Sequence, residues 1–242
     1  MDWNVTARLD EPYVREYNED RDLTAWFLLD LSPSVDFGTV ESERVKRTVL
    51  IDFVATLARL LTRRGNRAGA ILYGGSADRT IPAGSGRRQV LRLINDLMAD
   101  EPRDRAPLTD LAPLLAAAGA GLKRRSLVFI VSDFISAPGW DRPLSLLVRH
   151  HEVIAVRLLD PRETVLPDAG PILLQDAETG EQLYVDTGDA AFRRRFEAAA
   201  RRREADMQAS FRRAGVDALA LSTDDDLVRA IVRMAALRRK RR

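Results

Sequence analysis

The stretch Leu23-Thr24-Ala25-Trp26-Phe27-Leu28-Leu29-Asp30-Leu31-Ser32-Pro33-Ser34 decides the fold. An apolar run of strand length ends in one carboxylate and two hydroxyls. A second run, Leu127-Val128-Phe129-Ile130-Val131, ends in Ser132-Asp133, and Thr109-Asp110 stands between the two. Such runs read as strands buried on both faces, the signature of a parallel sheet. In open sheets of this kind ligands collect beyond the carboxyl ends of the strands. Oxygen-bearing side chains at two such ends make a place for a hard divalent cation.

Working outward, strands and helices alternate. Arg44 to Arg64 reads as an amphipathic helix with Val45, Val49, Phe53, Leu57, Leu60 and Leu61 on one face, closed by Gly65-Asn66. Ala68 to Tyr73 is a strand, with Thr80 to Pro82 as its antiparallel neighbour. Gly86 to Asp100 is helical, and a helix rich in Leu and Ala follows Pro107-Leu108-Thr109-Asp110 as far as about Leu122. Leu144 to His151 is helix and Val153 to Leu158 strand. The alternation predicts an α/β fold, a mostly parallel central sheet with helices on both faces. After Asp160-Pro161 the pattern changes. Pro171 to Asp176 and Gln182 to Asp186 flank Ala177-Glu178-Thr179-Gly180-Glu181 and read as a β-hairpin inserted at about 162–187. An arginine-rich helix (Asp189 to Ala214), a short strand (Ala218 to Leu221) and a last helix (Asp225 to Arg238) complete the chain. In that helix Leu227, Val228, Ile231, Val232 and Leu237 are the residues expected to face the sheet. The organisation is an N-terminal segment, 1–22, followed by one domain, 23–242.

Composition narrows the function classes. With 38 basic against 36 acidic residues the net charge is +2, which gives no electrostatic footprint for nucleic acid. The arginine helix is the one feature that keeps nucleic-acid binding in view, and it rests on charge alone. The absence of cysteine removes disulfides, zinc–thiolate sites and thiol nucleophiles. No apolar stretch reaches the ~20 residues of a membrane span, and Asp2, Arg8, Asp10 and Glu11 interrupt any early apolar region. The expectation is a cytoplasmic protein.

The candidate site is Asp30, Ser32, Ser34, Thr109 and Asp133. Mg²⁺ takes six oxygens at about 2.1 Å and gives up its waters reluctantly. Hydroxyl ligands carry no charge, so an ion held by them keeps an excess positive charge that attracts an acidic group from outside. Asp30, Ser32 and Ser34 are spaced by two and face one way if the turn is extended. The plainer reading makes Ser32 and Ser34 turn residues, Asp30 a strand-end cap and Thr109 a helix N-cap. Elsewhere, Ala83-Gly84-Ser85-Gly86-Arg87-Arg88 lacks the lysine of a phosphate loop and reads as a turn. The adjacent pair His150-His151 reads as capping or surface.

Asp30-x-Ser32-x-Ser34 with Thr109 and Asp133 resembles the metal-ion-dependent adhesion site of von Willebrand factor A domains. That resemblance implies Mg²⁺ (or Mn²⁺) held directly by Ser32, Ser34 and Thr109, with Asp30 and Asp133 binding directly or through water. Further segments are similar to the bacterial DUF58 family: Asp2-Trp3-Asn4-Val5-Thr6-Ala7-Arg8, Val14-Arg15-Glu16-Tyr17, Glu19-Asp20-Arg21-Asp22-Leu23, Asp36-Phe37-Gly38 and Asp160-Pro161-Arg162-Glu163 with the hairpin after it. Members usually carry more sequence ahead of the Asp-Trp motif, often with membrane segments. They accompany MoxR-type AAA+ ATPases and are thought to act as adaptors in protein maturation or complex assembly. The resemblance therefore implies a binding module whose partner is a MoxR-type ATPase or its client, engaged through an acidic residue. The alternative is a metal-assisted hydrolase with Asp133 as base.

Overall fold

Leu28, Leu29 and Asp30 are fully buried because the strand they belong to lies at the centre of a sheet covered on both sides. The computed structural model describes residues 23–38, 44–74, 77–101 and 108–239. The N-terminal segment and the motifs within 1–22 lie outside the described residues.

A six-stranded sheet comprises β1 (Thr24–Asp30), β2 (Arg67–Tyr73), β3 (Ala77–Gly84), β4 (Leu127–Ser132), β5 (Glu152–Leu159) and β8 (Asp217–Ser222), in the order β3-β2-β1-β4-β5-β8. Every neighbouring pair is parallel except β2 with β3, which is the antiparallel edge. Between the antiparallel strands β6 (Pro171–Gln175) and β7 (Gln182–Asp186) lies the hairpin turn.

Side-chain alternation splits the core in two. Ala25, Phe27 and Leu29 of β1 face α1 (Lys46–Thr62), α2 (Gly86–Met98) and α6 (Leu227–Arg239). Trp26 and Leu28 face the side covered by α3 (Leu111–Gly121), α4 (Asp141–His150) and α5 (Ala190–Ala214). On the first side Phe27 stacks on Phe129 at 5.3 Å and Phe53 meets Phe129 edge-on at 6.1 Å. Such pairs contribute about 1 kcal/mol each beyond burial.

The helices depart from the expected pattern in detail. In α1 the buried stripe is Val49, Leu50, Phe53, Val54, Leu57 and Ala58, whereas Leu60 is exposed. In α6 Ala230, Ile231 and Met234 pack on the sheet, but Val228 and Val232 point to solvent. Packing there uses a narrow stripe, and apolar residues off it gain nothing by burial. The side chain of Leu237 lies outside the described residues. His151 is the residue after α4, where its N–H caps the carbonyl of Leu147, and it is buried, not at the surface.

The sheet order reverses at β1. The chain passes from β1 to β2 on one side and reaches β4 on the other, so the carboxyl ends of β1 and β4 bound the crevice where such sheets bind ligands.

Candidate metal centre

Asp30 ends β1 with both carboxylate oxygens engaged. Oδ1 accepts the Ser32 N–H at 3.0 Å, and Oδ2 accepts the Ser132 hydroxyl at 2.6 Å. The first bond folds the chain into the turn after β1; the second ties β1 to β4. Pro33 then opens a 3₁₀ turn, Pro33–Asp36, with Ser32 at its N-cap position, yet the Ser32 hydroxyl makes no capping bond. Instead Ser32 Oγ and Ser34 Oγ lie 3.1 Å apart, both buried. Arg47 clamps this turn to α1, donating to Asp36 Oδ2 at 3.1 Å and to the Leu31 carbonyl at 3.3 Å. Gly38 follows where a Cβ would meet Val45 Cα at 2.6 Å, which only glycine tolerates.

Thr109 is not a helix cap. Asp110 holds that role in α3, accepting the Ala112 N–H at 2.9 Å. The Thr109 loop is fixed by Ala137 N–H donating to its carbonyl at 2.8 Å and by Leu111 N–H donating to Ser136 Oγ at 3.0 Å. Its hydroxyl is thus left for the site, and it donates to Glu178 of the hairpin; the Thr109 N–H donates to the other Glu178 oxygen at 2.8 Å.

Asp133 follows β4 in a tight turn. Asp133 Oδ1 accepts the Ile135 N–H at 2.9 Å and Ser132 Oγ accepts the Phe134 N–H at 2.8 Å. Phe134 adopts φ +56°, a conformation uncommon for a bulky side chain. Its ring is held against Phe211 at 4.8 Å and Trp140 at 5.6 Å, so aromatic packing on α5 and on the residue that caps α4 fixes the turn that aims Asp133.

The second oxygen of Asp133 accepts from the fully buried Lys46 ammonium at 2.7 Å, and the same Nζ donates to Glu163 Oε1 at 2.6 Å. Burial alone lowers the pKa of this ammonium, but Asp133 and Glu163 outweigh it and hold the group above the usual lysine value. Glu163 is fixed in turn by a capping box. Its Oε2 accepts the Asp160 N–H at 3.1 Å, and Asp160 Oδ1 accepts the Arg162 N–H at 2.9 Å. Asp160 also accepts the Thr223 hydroxyl at 2.9 Å. The carboxyl ends of β1, β4, β5 and β8 are thereby linked by a network of side-chain and backbone hydrogen bonds. Burial, and then the charge of Asp133, push the Asp30 carboxyl up to about 6.

The donor chemistry fits a small hard cation in part. Adjacent ligands of an octahedral Mg²⁺ lie about 3 Å apart, given metal–oxygen distances of about 2.1 Å, and the Ser32 and Ser34 oxygens match that spacing. Among the described residues no three His, Asp or Glu side chains form a metal-holding group by themselves. An ion held here would rest on hydroxyls, with Asp30 and Asp133 behind them. Lys46, Glu163, Arg47 and Glu178 are the site residues that sequence reasoning missed. For Lys46 a signal existed: it falls on the stripe Lys46, Leu50, Phe53, Leu57, where a charge needs a buried partner.

The layered sheet, its reversed order and this edge define a von Willebrand factor A-like α/β domain. BatB shares that architecture, and the SpRpn10 VWA domain is a looser match that carries no argument. BatB from Bacteroides thetaiotaomicron aligns with a TM-score of 0.52 at 12% identity, over 88% of this chain and 99% of that one. The SpRpn10 VWA domain aligns at 0.48 and 12%, over 86% and 93%. At such identity the likeness concerns the fold alone. The chain belongs to the DUF58 family, described as a protein of unknown function, whose profile matches residues 1–206. The uncharacterized protein Rv1480 of Mycobacterium tuberculosis is 38% identical over 240 residues, 99% of this chain and 75% of that protein. No helix among the described residues is long and apolar enough to cross a membrane.

Proposed function

We propose that this chain is a metal-dependent protein-binding adaptor that works with a MoxR-type AAA+ ATPase in protein maturation or complex assembly. The observation that carries the reading is the pair of serine hydroxyls of Ser32 and Ser34, 3.1 Å apart and buried, at the switch point of the sheet. Ser32, Ser34 and Thr109 would hold Mg²⁺ or Mn²⁺, with Asp30 and Asp133 stabilising it from behind. When bound, the ion supplies a positive centre able to take a carboxylate from a partner. The protein's own part is positioning. Asp30 shapes the serine turn, Arg47 clamps it, and the Asp110 cap leaves Thr109 free to face the site.

Binding is favoured over hydrolysis by the state of Asp133. Both of its oxygens already accept hydrogen bonds, from Ile135 N–H and from Lys46, which poorly suits a general base. The test is Mn²⁺ relaxation or calorimetry on the full chain, followed by capture of a co-expressed MoxR-type ATPase with Mg²⁺ or with EDTA. The Ser32→Ala, Ser34→Ala double variant should lose at least about tenfold in metal affinity, given the loss of two ligands. Capture should fall in EDTA. Unchanged metal affinity in the double variant overturns the assignment. Metal-dependent turnover of a phosphoester or peptide, abolished by Asp133→Ala, favours the hydrolase.

A further inference from the structure

The hairpin is the most exposed element of secondary structure near the site. Leu173, Leu183 and Tyr184 are 57%, 61% and 71% exposed. Yet one residue of its turn, Glu178, is 7% exposed and carries a carboxylate into the crevice. Both oxygens of that carboxylate accept from Thr109, one from the backbone N–H and one from the hydroxyl.

The turn is built to present it. Asp176 Oδ1 accepts the N–H of Glu178 at 3.0 Å, the N–H of Thr179 at 2.7 Å and the Thr179 hydroxyl at 2.9 Å. Gly180 closes the turn at φ +71°. Those bonds, the backbone bond to Thr179 foremost, hold the Asp176 carboxyl below its usual pKa, so the clamp is ionised at neutral pH. Beneath the hairpin runs a groove of about 870 Å³ whose wall includes Ser34, Phe37, Thr109, Ile135, Leu166 and Phe196. Glu178 enters that groove from above and stops at Thr109.

We infer that Glu178 is a built-in acidic ligand: the hairpin latches the site with the carboxylate a partner would otherwise supply, and a partner binds by displacing it. This rests on the adaptor reading for the identity of the partner's group, but the latch itself rests on the Thr109–Glu178 contacts. An internal ligand competes at high effective concentration. If the latch is open for a fraction f of the time, an external carboxylate binds with its dissociation constant raised by 1/f. The hairpin is a suitable latch because it buries little apolar surface, and such elements open at low free-energy cost.

The probe is a labelled, backbone-cyclised peptide carrying residues 171–186, since an isolated hairpin is only marginally stable. Its fluorescence anisotropy is followed against the wild-type chain and Glu178→Ala, each in Mg²⁺ and in EDTA. A control peptide carries Ala in place of its own Glu178. The expected result is binding to the Glu178→Ala chain at least about tenfold tighter than to wild type, with the control peptide binding neither. Amide exchange at Thr109 should accelerate in Glu178→Ala while β1 and β4 stay protected. Equal affinity of both chains, equal affinity of both peptides, no binding to Glu178→Ala, or unchanged exchange at Thr109 overturns the latch. Glutamate-dependent binding that persists in EDTA supports the latch and overturns the metal-bridged mode, whereas loss in EDTA supports both.

Discussion

The carboxyl edge of the sheet and the β6–β7 hairpin bring acids to the same crevice by opposite means. Asp30 and Asp133 arrive on strands sealed between two helical layers and are no more than 1% exposed, each with both oxygens committed within the core. Glu178 arrives on a hairpin of two strands whose side chains, apart from Val185, stay largely or partly exposed. One acid set is fixed by the whole fold, the other by a turn and two hydrogen bonds. The difference teaches that a site can have a rigid half and a removable half, and that only the first is part of the core.

The largest effect is expected from Lys46→Met. It leaves Asp133 and Glu163 facing each other without their shared cation, and breaking a buried pair costs about 3–5 kcal/mol. The urea midpoint should drop accordingly, and adding Asp133→Asn should restore part of the loss. A small change in Lys46→Met would mean that the edge is not the rigid half. Replacing residues 164–187 by a short Gly-Ser linker should cost less, about 3 kcal/mol, the scale of its two buried aliphatic side chains, Leu166 and Val185. Unfolding should remain cooperative; loss of cooperativity would place the hairpin in the core and erase the contrast.

The opposite end of the sheet provides the control and the smallest effect. Burial first, and then the neighbouring His150, lower the pKa of His151 from 6.5. The native state then holds fewer protons than the unfolded state just below that value, so stability is lost as pH falls through it. His151→Leu should flatten this decline at about pH 5 and change little at about pH 8, on the ordinary histidine scale. It should leave exchange at Thr109 untouched.

The sheet was legible because β1 and β4 are continuous apolar runs, and a strand covered on both faces has no other way to read. The hairpin was legible from turn chemistry around Thr179-Gly180. Asp30, Ser32, Ser34 and Asp133 sit at or just past the ends of β1 and β4, and Thr109, just before α3, lines the same groove as Ser34. Glu178 was not legible. An acid in a surface turn looks solvated, and only the fold shows that this turn reaches Thr109, 69 positions away. Phe134 was hidden too, because nothing in Ser132-Asp133-Phe134 announces a left-handed backbone that three aromatic rings sustain. Val228 and Val232 misled for the opposite reason: residue type suggested burial, and helix phase denied it.

Lys46 carries a consequence for how this edge holds together by itself. In many small metal-binding domains the ligands repel one another until the metal arrives, and folding waits on supply. Here an ammonium from the domain's own helix already sits between Asp133 and Glu163. The chain carries its counter-charge with it from the ribosome. If this edge takes a divalent cation as proposed, loss of that ion would empty the binding face and leave the fold standing.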